Sequence, residues 1–134
     1  MAYWLLKTEP STYSFDDLLR DGKTVWDGVT NPLALKNLRA MKKGDLAFIY
    51  HTGDEKAVVG IGEIVSDPYP DPRAKDEKLT VVDLRPKRRL THPVPLSAIN
   101  SNKEFARFEL VRMPRLSVMP VSKDVWDALL AMSK

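Results

Sequence analysis

The stretch LAFIYHTGDEKAVVGIGEIV, residues 46–65, predicts the centre of the fold. Its first part, Leu46–His51, is an almost unbroken apolar run, which is typical of a strand covered on both faces. A Gly-Asp turn follows, and Ala57–Val65 predicts a second strand. Gly60 and Gly62 lie on one face of that strand because side chains alternate between faces. Two glycines on one face indicate sharp curvature or something packed close against the backbone, as in a small barrel.

The elements on either side of these two strands are short and of mixed type. Strands are predicted at Tyr3–Thr8, at Leu79–Leu84 with a basic continuation over Lys87–Thr91, and at Leu116–Val121. Helices are predicted from Ser14 to Gly22, from Asn31 to about Met41 with Gly44 ending the helix, around Leu96–Asn100 with Ser97 or a neighbour as the cap, and after Ser122. The proline-rich segment Asp67–Pro72 is predicted to be a loop. This pattern predicts a mixed α+β domain around a small bent sheet or barrel.

Composition limits the classes of protein to which the chain can belong. With 134 residues, 43% hydrophobic and 29% charged, it has the make-up of one soluble globular domain. There is no cysteine, which excludes disulfides, zinc–thiolate sites and thiol catalysis. The only histidines, His51 and His92, do not have a metal-ligand spacing, so no metal site is expected. The apolar run at the start is too short for a signal peptide or a membrane span, and we expect a cytoplasmic protein.

The charge is mildly basic and unevenly distributed. The formal net charge of +3 and the pI of about 9.2 are compatible with a nucleic-acid partner without establishing one. One basic cluster comprises Lys36, Arg39, Lys42 and Lys43, and a second comprises Arg85, Lys87, Arg88 and Arg89. Each cluster is open to two interpretations, a solvated charged face or a phosphate-contacting surface.

Sequence motifs for catalysis are absent. The chain has no nucleophile elbow, no phosphate-binding loop and no dinucleotide fingerprint, so no cofactor is expected. Glu9, Asp27 and Glu63 have the chemistry for acid–base work, but nothing in the sequence pairs them. We therefore do not expect an enzyme, although an enzyme acting on a nucleotide or small acidic ligand is the second hypothesis and a protein-interaction module is the third.

The stretch WDGVTN, residues 26–31, has the residues of a binding site. Trp26 has a flat π-face and one N–H donor, and Gly28 allows close approach of a ligand to the backbone. Asn31 followed by proline predicts a helix start. An aromatic face beside hydrogen-bonding side chains suits an everted nucleobase, because stacking on a ring contributes ~1–3 kcal/mol per base. The alternative is a buried tryptophan in a loop-to-helix corner.

Several segments resemble the EVE domain. They are Tyr3–Pro10, Thr24–Asn31, Met41–Asp45, Tyr50-His51, Val59–Val65, Tyr69–Asp71, Leu116–Val121 and Trp126. The resemblance extends over residues 1–134 as a single domain. It implies a PUA-like fold, a small and strongly bent β-barrel with short helices around it. It also implies a non-enzymatic reader of modified nucleobases, chiefly modified cytosine in DNA, while RNA binding is the rule among PUA relatives.

The resemblance also implies site residues, carried over by position. The base-binding pocket would comprise Trp4, Lys7, Thr8, Trp26, Asn31, His51, Arg112, Leu116 and Ser117. In it, Trp26 would stack the base, and Asn31 and Ser117 or nearby backbone would read its edge. Lys7 and Arg112 would favour a flanking phosphate or a polar modification. The basic residues Lys36, Arg39, Lys42 and Lys43 would contact phosphates.

Two departures from the family pattern concern the pocket. Many members have an aromatic residue directly after the asparagine, where this chain has Pro32-Leu33. Many also have a longer insertion containing an aromatic residue, where this chain has the short charged segment Pro72–Lys78. Both bear on which modified base is read, and the second predicts a more open pocket.

Overall fold

A mixed seven-stranded sheet, curled into a half-barrel, is the frame of the fold in the computed structural model, which describes residues 1–134. The strands are β1 (Tyr3–Thr8), β2 (Thr24–Trp26), β3 (Leu46–His51), β4 (Ala57–Ile64), β5 (Tyr69–Pro70), β6 (Thr80–Pro95) and β7 (Val118–Val121). The helices are α1 (Phe15–Asp21), α2 (Pro32–Arg39), α3 (Leu96–Asn100), α4 (Glu109–Arg112) and α5 (Lys123–Met132), with one 3₁₀ turn over Lys103–Phe105. None of the helices is long and apolar enough to cross a membrane. The predicted mixed α+β fold with a strongly bent sheet is confirmed.

The strand order explains why the barrel stays open. Hydrogen-bonded neighbours run β2-β6-β4-β3-β1-β7, with β5 paired only to β6. The β1–β3 pair is parallel and the other pairs are antiparallel. Strands β2 and β7 lie at opposite ends of this order and do not pair with each other. The middle strand β3 is buried at five of its six residues, as its continuous apolar sequence predicted.

The two glycines of β4 provide the close packing that their sequence pattern predicted. A β-carbon at Gly60 would overlap the ring of Phe15, and one at Gly62 would lie 2.9 Å from Cδ1 of Leu84. The pairing of β4 with β6 also shifts register after Val58 and again after Ile61. Glycine therefore lets α1 rest directly on the sheet where the sheet bends.

Side-chain caps begin helices α1 and α2. Ser14 and Asp17 form a reciprocal capping box at α1. Oδ1 of Asn31 accepts from the backbone N–H groups of Leu33 and Ala34, at 2.9 and 3.1 Å, which starts α2. Both helix starts agree with the sequence prediction.

Some element boundaries differ from the predictions. Helix α2 ends at Arg39, with Ala40 as its C-cap, rather than near Met41, and Gly44 lies in the following turn with a φ of 98°. The N-cap of α3 is Pro95, so Ser97 does not cap it. Strand β7 begins at Val118 rather than at Leu116.

The largest differences concern β6 and its neighbours. Strand β6 is one continuous strand that includes Pro86, Pro93 and Pro95. A register shift leaves Leu90–Pro93 out of the pairing with β4, so Pro93 removes no hydrogen bond to β4. The segment Asp67–Pro72, predicted to be a loop, contains β5, and the Tyr69 hydroxyl donates to Asp83 Oδ1 at 2.6 Å. The 3₁₀ turn and α4 are too short to have a helical period, so the sequence did not indicate them.

Candidate functional site

A cleft of about 420 Å³ opens where the end of β1, strand β2 and the loops after them meet. Its volume falls in the range of roughly 300–1,000 Å³ that is usual for ligand pockets. The residues that line it are Lys7, Thr8, Thr12, Tyr13, Thr24, Val25, Trp26, Asp27, Gly28, Val29 and Ser117. Aromatic, charged and hydroxyl side chains thus surround one concave space.

Trp26 forms one wall of the cleft and is held mostly inside the protein. It ends β2, where it pairs with Val82 of β6, and only 7% of its surface is exposed. The Tyr13 ring meets it edge-on, with centroids 6.4 Å apart and planes at 84°. Its Nε1 has no hydrogen-bond partner in the protein and is not sealed from solvent. Trp26 therefore offers an N–H donor and little of its ring surface.

Lys7 lines the cleft and also a neighbouring hollow that Tyr50 and Pro114 line. Its backbone N–H donates to the carbonyl oxygen of Ser117 at 2.9 Å, which joins β1 to the segment before β7. Its Nζ donates to the carbonyl oxygen of Pro114 at 2.8 Å and lies 5.6 Å from the centroid of the Tyr50 ring. Partial burial of the ammonium group lowers the pKa of Lys7 below its usual value. Lys7 is thus a positive charge in a fixed position.

The loop that follows β1 is tied down by two hydroxyl groups. Oγ1 of Thr8 donates to the carbonyl oxygen of Tyr13 at 2.6 Å, and the Tyr13 hydroxyl donates to Asp21 Oδ2 at 2.9 Å. Desolvation and the neighbouring carboxylates raise the pKa of Tyr13. The loop therefore holds Tyr13 against Trp26.

Several polar side chains of the cleft, that of Thr12 among them, have no hydrogen-bond partner within the protein. Two of them are the exposed carboxylate of Asp27 and the partly exposed hydroxyl of Ser117. Together with Nε1 of Trp26, they provide one acceptor, one group that both donates and accepts, and one donor. The cleft can therefore hydrogen-bond the edge of a planar polar ligand.

A second concavity, here called the side groove, adjoins the cleft. It has a volume of about 440 Å³ and is lined by Asn31, Leu33 and residues 112–116. Val29 lines the cleft two residues before Asn31, and Ser117 lines it directly after Leu116. The segment from Val29 to Asn31 and the segment from Leu116 to Ser117 therefore each contribute to the walls of both spaces.

The structure divides the nine predicted base-binding residues into three groups. Lys7, Thr8, Trp26 and Ser117 line the cleft. Asn31, Arg112 and Leu116 line the side groove. Trp4 and His51 line neither.

Trp4 and His51 have structural partners instead. Trp4 is buried, and its Nε1 donates to Asp45 Oδ2 at 2.9 Å. The buried His51 accepts from the Phe15 backbone N–H at Nε2, at 3.0 Å, and its Nδ1 lies 2.8 Å from Glu55 Oε1. Both ring nitrogens of His51 are therefore occupied within the protein.

The two basic clusters differ in their partners. In the first cluster, Lys36, Lys42 and Lys43 are exposed and make no ion pair, while Arg39 donates to the carbonyl oxygen of Lys78. In the second cluster, three of the four members pair with acids: Arg85 and Lys87 with Glu63, and Arg89 with Asp16. The first cluster is therefore the one with free positive charge.

The acidic residues do not assemble into a catalytic or metal-binding group. Glu63 is bound to Arg85 at 2.7 Å, whereas Asp27 lies in the cleft. Glu9 accepts from the hydroxyl of Ser11. The structure has no group of three or more His, Cys, Asp or Glu residues able to hold a metal ion.

Sequence reasoning did not include Tyr13 and Thr12 in the site. Both belong to the loop after Pro10, which folds back onto β2 and completes the cleft. An aromatic residue in the polar run Ser11–Ser14 was the available signal, but only tertiary contact connects it to Trp26.

Comparison with known proteins gives one consistent result. Residues 2–132 match the model of the EVE domain. Human thymocyte nuclear protein 1 is 29% identical over 167 residues, an alignment that includes 99% of this chain and 74% of the human protein. A crystal structure of a protein from Agrobacterium tumefaciens is 36% identical, with a TM-score of 0.96 over 99% of this chain and 93% of that chain. The human protein in complex with DNA containing 5-methylcytosine is 28% identical, with a TM-score of 0.91 over 100% and 98% of the two chains.

Proposed function

Because this chain belongs to the EVE domain family, we propose that it binds DNA that contains a modified cytosine and catalyses no reaction on it. A human relative has been crystallised with DNA containing 5-methylcytosine, and 98% of the crystallised chain superposes on this fold. The observation that carries the proposal for this chain is the cleft beside Trp26, where unpaired hydrogen-bonding groups border an aromatic wall.

The free groups of the cleft match the polar edge of cytosine. The exocyclic amine of cytosine is a donor, which suits the Asp27 carboxylate. The ring nitrogen and carbonyl oxygen are acceptors, which suit Nε1 of Trp26 and the Ser117 hydroxyl. A base inside a duplex reaches such a cleft only when it is everted from the stack.

Stacking of the base on Trp26 is an alternative to the hydrogen bond from Nε1, because the indole N–H lies in the ring plane and cannot reach the edge of a base stacked on its own face. This stacked arrangement requires the cleft to widen. With 7% of Trp26 exposed, its face is covered on the side where Tyr13 meets it. Tyr13 is held there by the hydrogen bonds of Thr8 and Asp21. The base would enter as the loop bearing Tyr13 moves outward, and its stacking energy would compensate for the lost contact.

Charge around the cleft favours one path for the phosphates. On the Tyr13 side, α1 has the carboxylates Asp16, Asp17 and Asp21. The chain after the cleft forms α2, with Lys36 and Arg39 in its last turn, followed by Lys42-Lys43. We propose that the DNA backbone follows α2, because Lys36, Lys42 and Lys43 make no ion pair, whereas the carboxylates of α1 already pair with Arg20 and Arg89 and leave no free cation there.

The test is fluorescence anisotropy with labelled duplexes that differ at one cytosine. We expect tighter binding when that base is 5-methylcytosine than when it is unmodified. Equal affinities would contradict the modified-base proposal, and tighter binding of the matching RNA would replace DNA with RNA as the partner. Unchanged oligonucleotide and nucleotide after prolonged incubation supports the non-enzymatic part, whereas a new product, lost with Asp27→Asn, would overturn it.

A paired substitution tests whether the cleft is the site. Trp26→Phe keeps an aromatic ring but removes the N–H, and we expect the affinity for modified DNA to fall by roughly fivefold or more. Trp126→Phe is the matched control, since Trp126 stacks on Tyr3 and Phe48 in the core. Thermal unfolding of both variants separates lost binding from lost folding. An equal loss in both variants would argue against the cleft.

A further inference from the structure

We propose that the side groove binds the nucleotide next to the recognised base, so that the protein holds two consecutive nucleotides. The inference rests on the proposed function, because it takes the cleft as the place of the modified base. It assigns a separate space, with its own residues, to the neighbouring base and its phosphate.

The cleft and the side groove are formed by the same stretches of chain. They share the segments Gly28–Leu33 and Arg112–Ser117 as walls. Lys7 holds the second of these segments in place, because its backbone N–H bonds to Ser117 and its Nζ bonds to Pro114. A nucleotide bound in the cleft therefore has its neighbour within reach of the side groove.

The side groove has an apolar surface. Leu33 is 38% exposed and Met113 is 36% exposed, and both are among the few large hydrophobic side chains that the fold leaves at its surface. Both line the same concave space. An unstacked base can pack its face against apolar as well as aromatic side chains, and contact with the face of a base is tolerant of sequence.

Positively charged side chains without an ion-pair partner lie beside that surface. Neither Arg112 nor Arg115 forms an ion pair, and no acidic residue lines the groove. The Nε of Arg112 donates to the carbonyl oxygen of Arg107 at 2.9 Å, which fixes the side chain and leaves its terminal nitrogens free. Two guanidinium groups at an apolar groove complement a base with its phosphodiester.

Asn31 provides one further polar contact. Its Oδ1 is used to cap α2, while its Nδ2 has no partner within the protein. That amide is free to donate to an acceptor on the flanking nucleotide. Besides the two guanidinium groups, which suit the phosphate, the groove therefore offers one amide donor to the neighbouring base, which predicts weak preference for the identity of that base.

The test uses short single-stranded DNA with one central 5-methylcytosine, so that no duplex has to open. The neighbour on the 5′ side or the 3′ side is either thymidine or an abasic nucleotide, which keeps the number of phosphates constant. We expect one of the two abasic positions to weaken binding by roughly fivefold or more, the lower end of what a base contact contributes. No loss at either position, which would mean that only the backbone is held, would overturn the proposal.

The same affinities are measured for the double variant Leu33→Ser with Met113→Ser. Both residues are exposed, so the fold should persist, and Leu19→Ser on α1 is the matched control because Leu19 is 44% exposed. In the double variant the abasic substitution should no longer change the affinity, while the control keeps the full effect. An abasic effect of equal size in the double variant would contradict the assignment.

The failure of this proposal is distinguishable from that of the proposed function. The modified-base preference is measured separately, with the same oligonucleotides carrying cytosine in place of 5-methylcytosine. That preference should survive in the double variant, since Leu33 and Met113 lie outside the cleft. If the double variant failed to fold, the abasic series with the unaltered protein would still decide.

Discussion

Nζ of Lys7 donates a 2.8 Å hydrogen bond to the carbonyl oxygen of Pro114, across 107 positions of sequence. This bond and the backbone bond from Lys7 to Ser117 join β1 to the wall shared by the cleft and the side groove. The lysine is thus both a tether of that wall and a cation beside the proposed DNA path. Its two roles can be separated experimentally.

We expect Lys7→Met to weaken DNA binding several-fold while changing the free energy of unfolding by no more than about 1 kcal/mol. The bond to Pro114 is exposed and contributes little net stability, and the variant also removes the cost of partly burying an ammonium group. Anisotropy titrations and urea unfolding measure the two quantities. A large loss of stability with unchanged affinity would mean that the tether is the main role.

The first basic cluster should determine the salt dependence of binding. Each phosphate contact contributes a slope of about 0.9 in the logarithm of affinity against the logarithm of salt. The double variant Lys36→Ala with Lys43→Ala should therefore reduce the slope by up to about 1.8. Lys123→Ala is the control, because Lys123 pairs with Asp127 on α5. A slope that falls equally in the control would refute the path along α2.

His51 should matter for stability through its bond to α1. Removing the imidazole leaves the backbone N–H of Phe15 without an acceptor in a buried position. We expect His51→Ala to lower the free energy of unfolding by about 1–3 kcal/mol. His92→Ala, at an exposed position without side-chain hydrogen bonds, should be nearly neutral. Chemical denaturation of the two variants compares them, and equal stabilities would contradict the capping role.

Gly60→Ala should destabilise the protein because the added methyl group meets the Phe15 ring. Overpacking of this kind costs about 1–3 kcal/mol. Combining it with Phe15→Leu, which removes the ring, should give a smaller loss than the sum of the two single losses. A strictly additive double-mutant cycle would show that the two residues do not compete for space.

The protein should lose stability at alkaline pH through Tyr69. The hydrogen bond to Asp83 and partial burial raise the pKa of Tyr69 from 10.0 to about 12. Folding favours the protonated hydroxyl, so this contribution is complete below pH 10.0 and is lost as the pH rises to about 12. The stability difference between the wild type and Tyr69→Phe should shrink over that interval. A constant difference would mean that the hydroxyl titrates normally.

Much of the architecture could be predicted because its signals are local. The caps Ser14, Asn31 and Ser122 each accept a hydrogen bond from a residue no more than three positions away, so they begin helices independently of contacts with distant parts of the chain. The glycine pair in β4 likewise indicated close packing before the Phe15 ring was located.

What the sequence by itself determined was therefore the longer helices and strands, the bent sheet and the family, but not β5, α4 or the 3₁₀ turn. Only the tertiary structure decided which residues meet, because direction and proximity depend on contacts far apart in the chain. Trp4 and Trp26 both lie in short apolar strands, yet Asp45, 41 residues away, holds Trp4 at Nε1, while Nε1 of Trp26 has no protein partner. In the same way, Tyr13 became part of the cleft and Asn31 part of the side groove through packing alone.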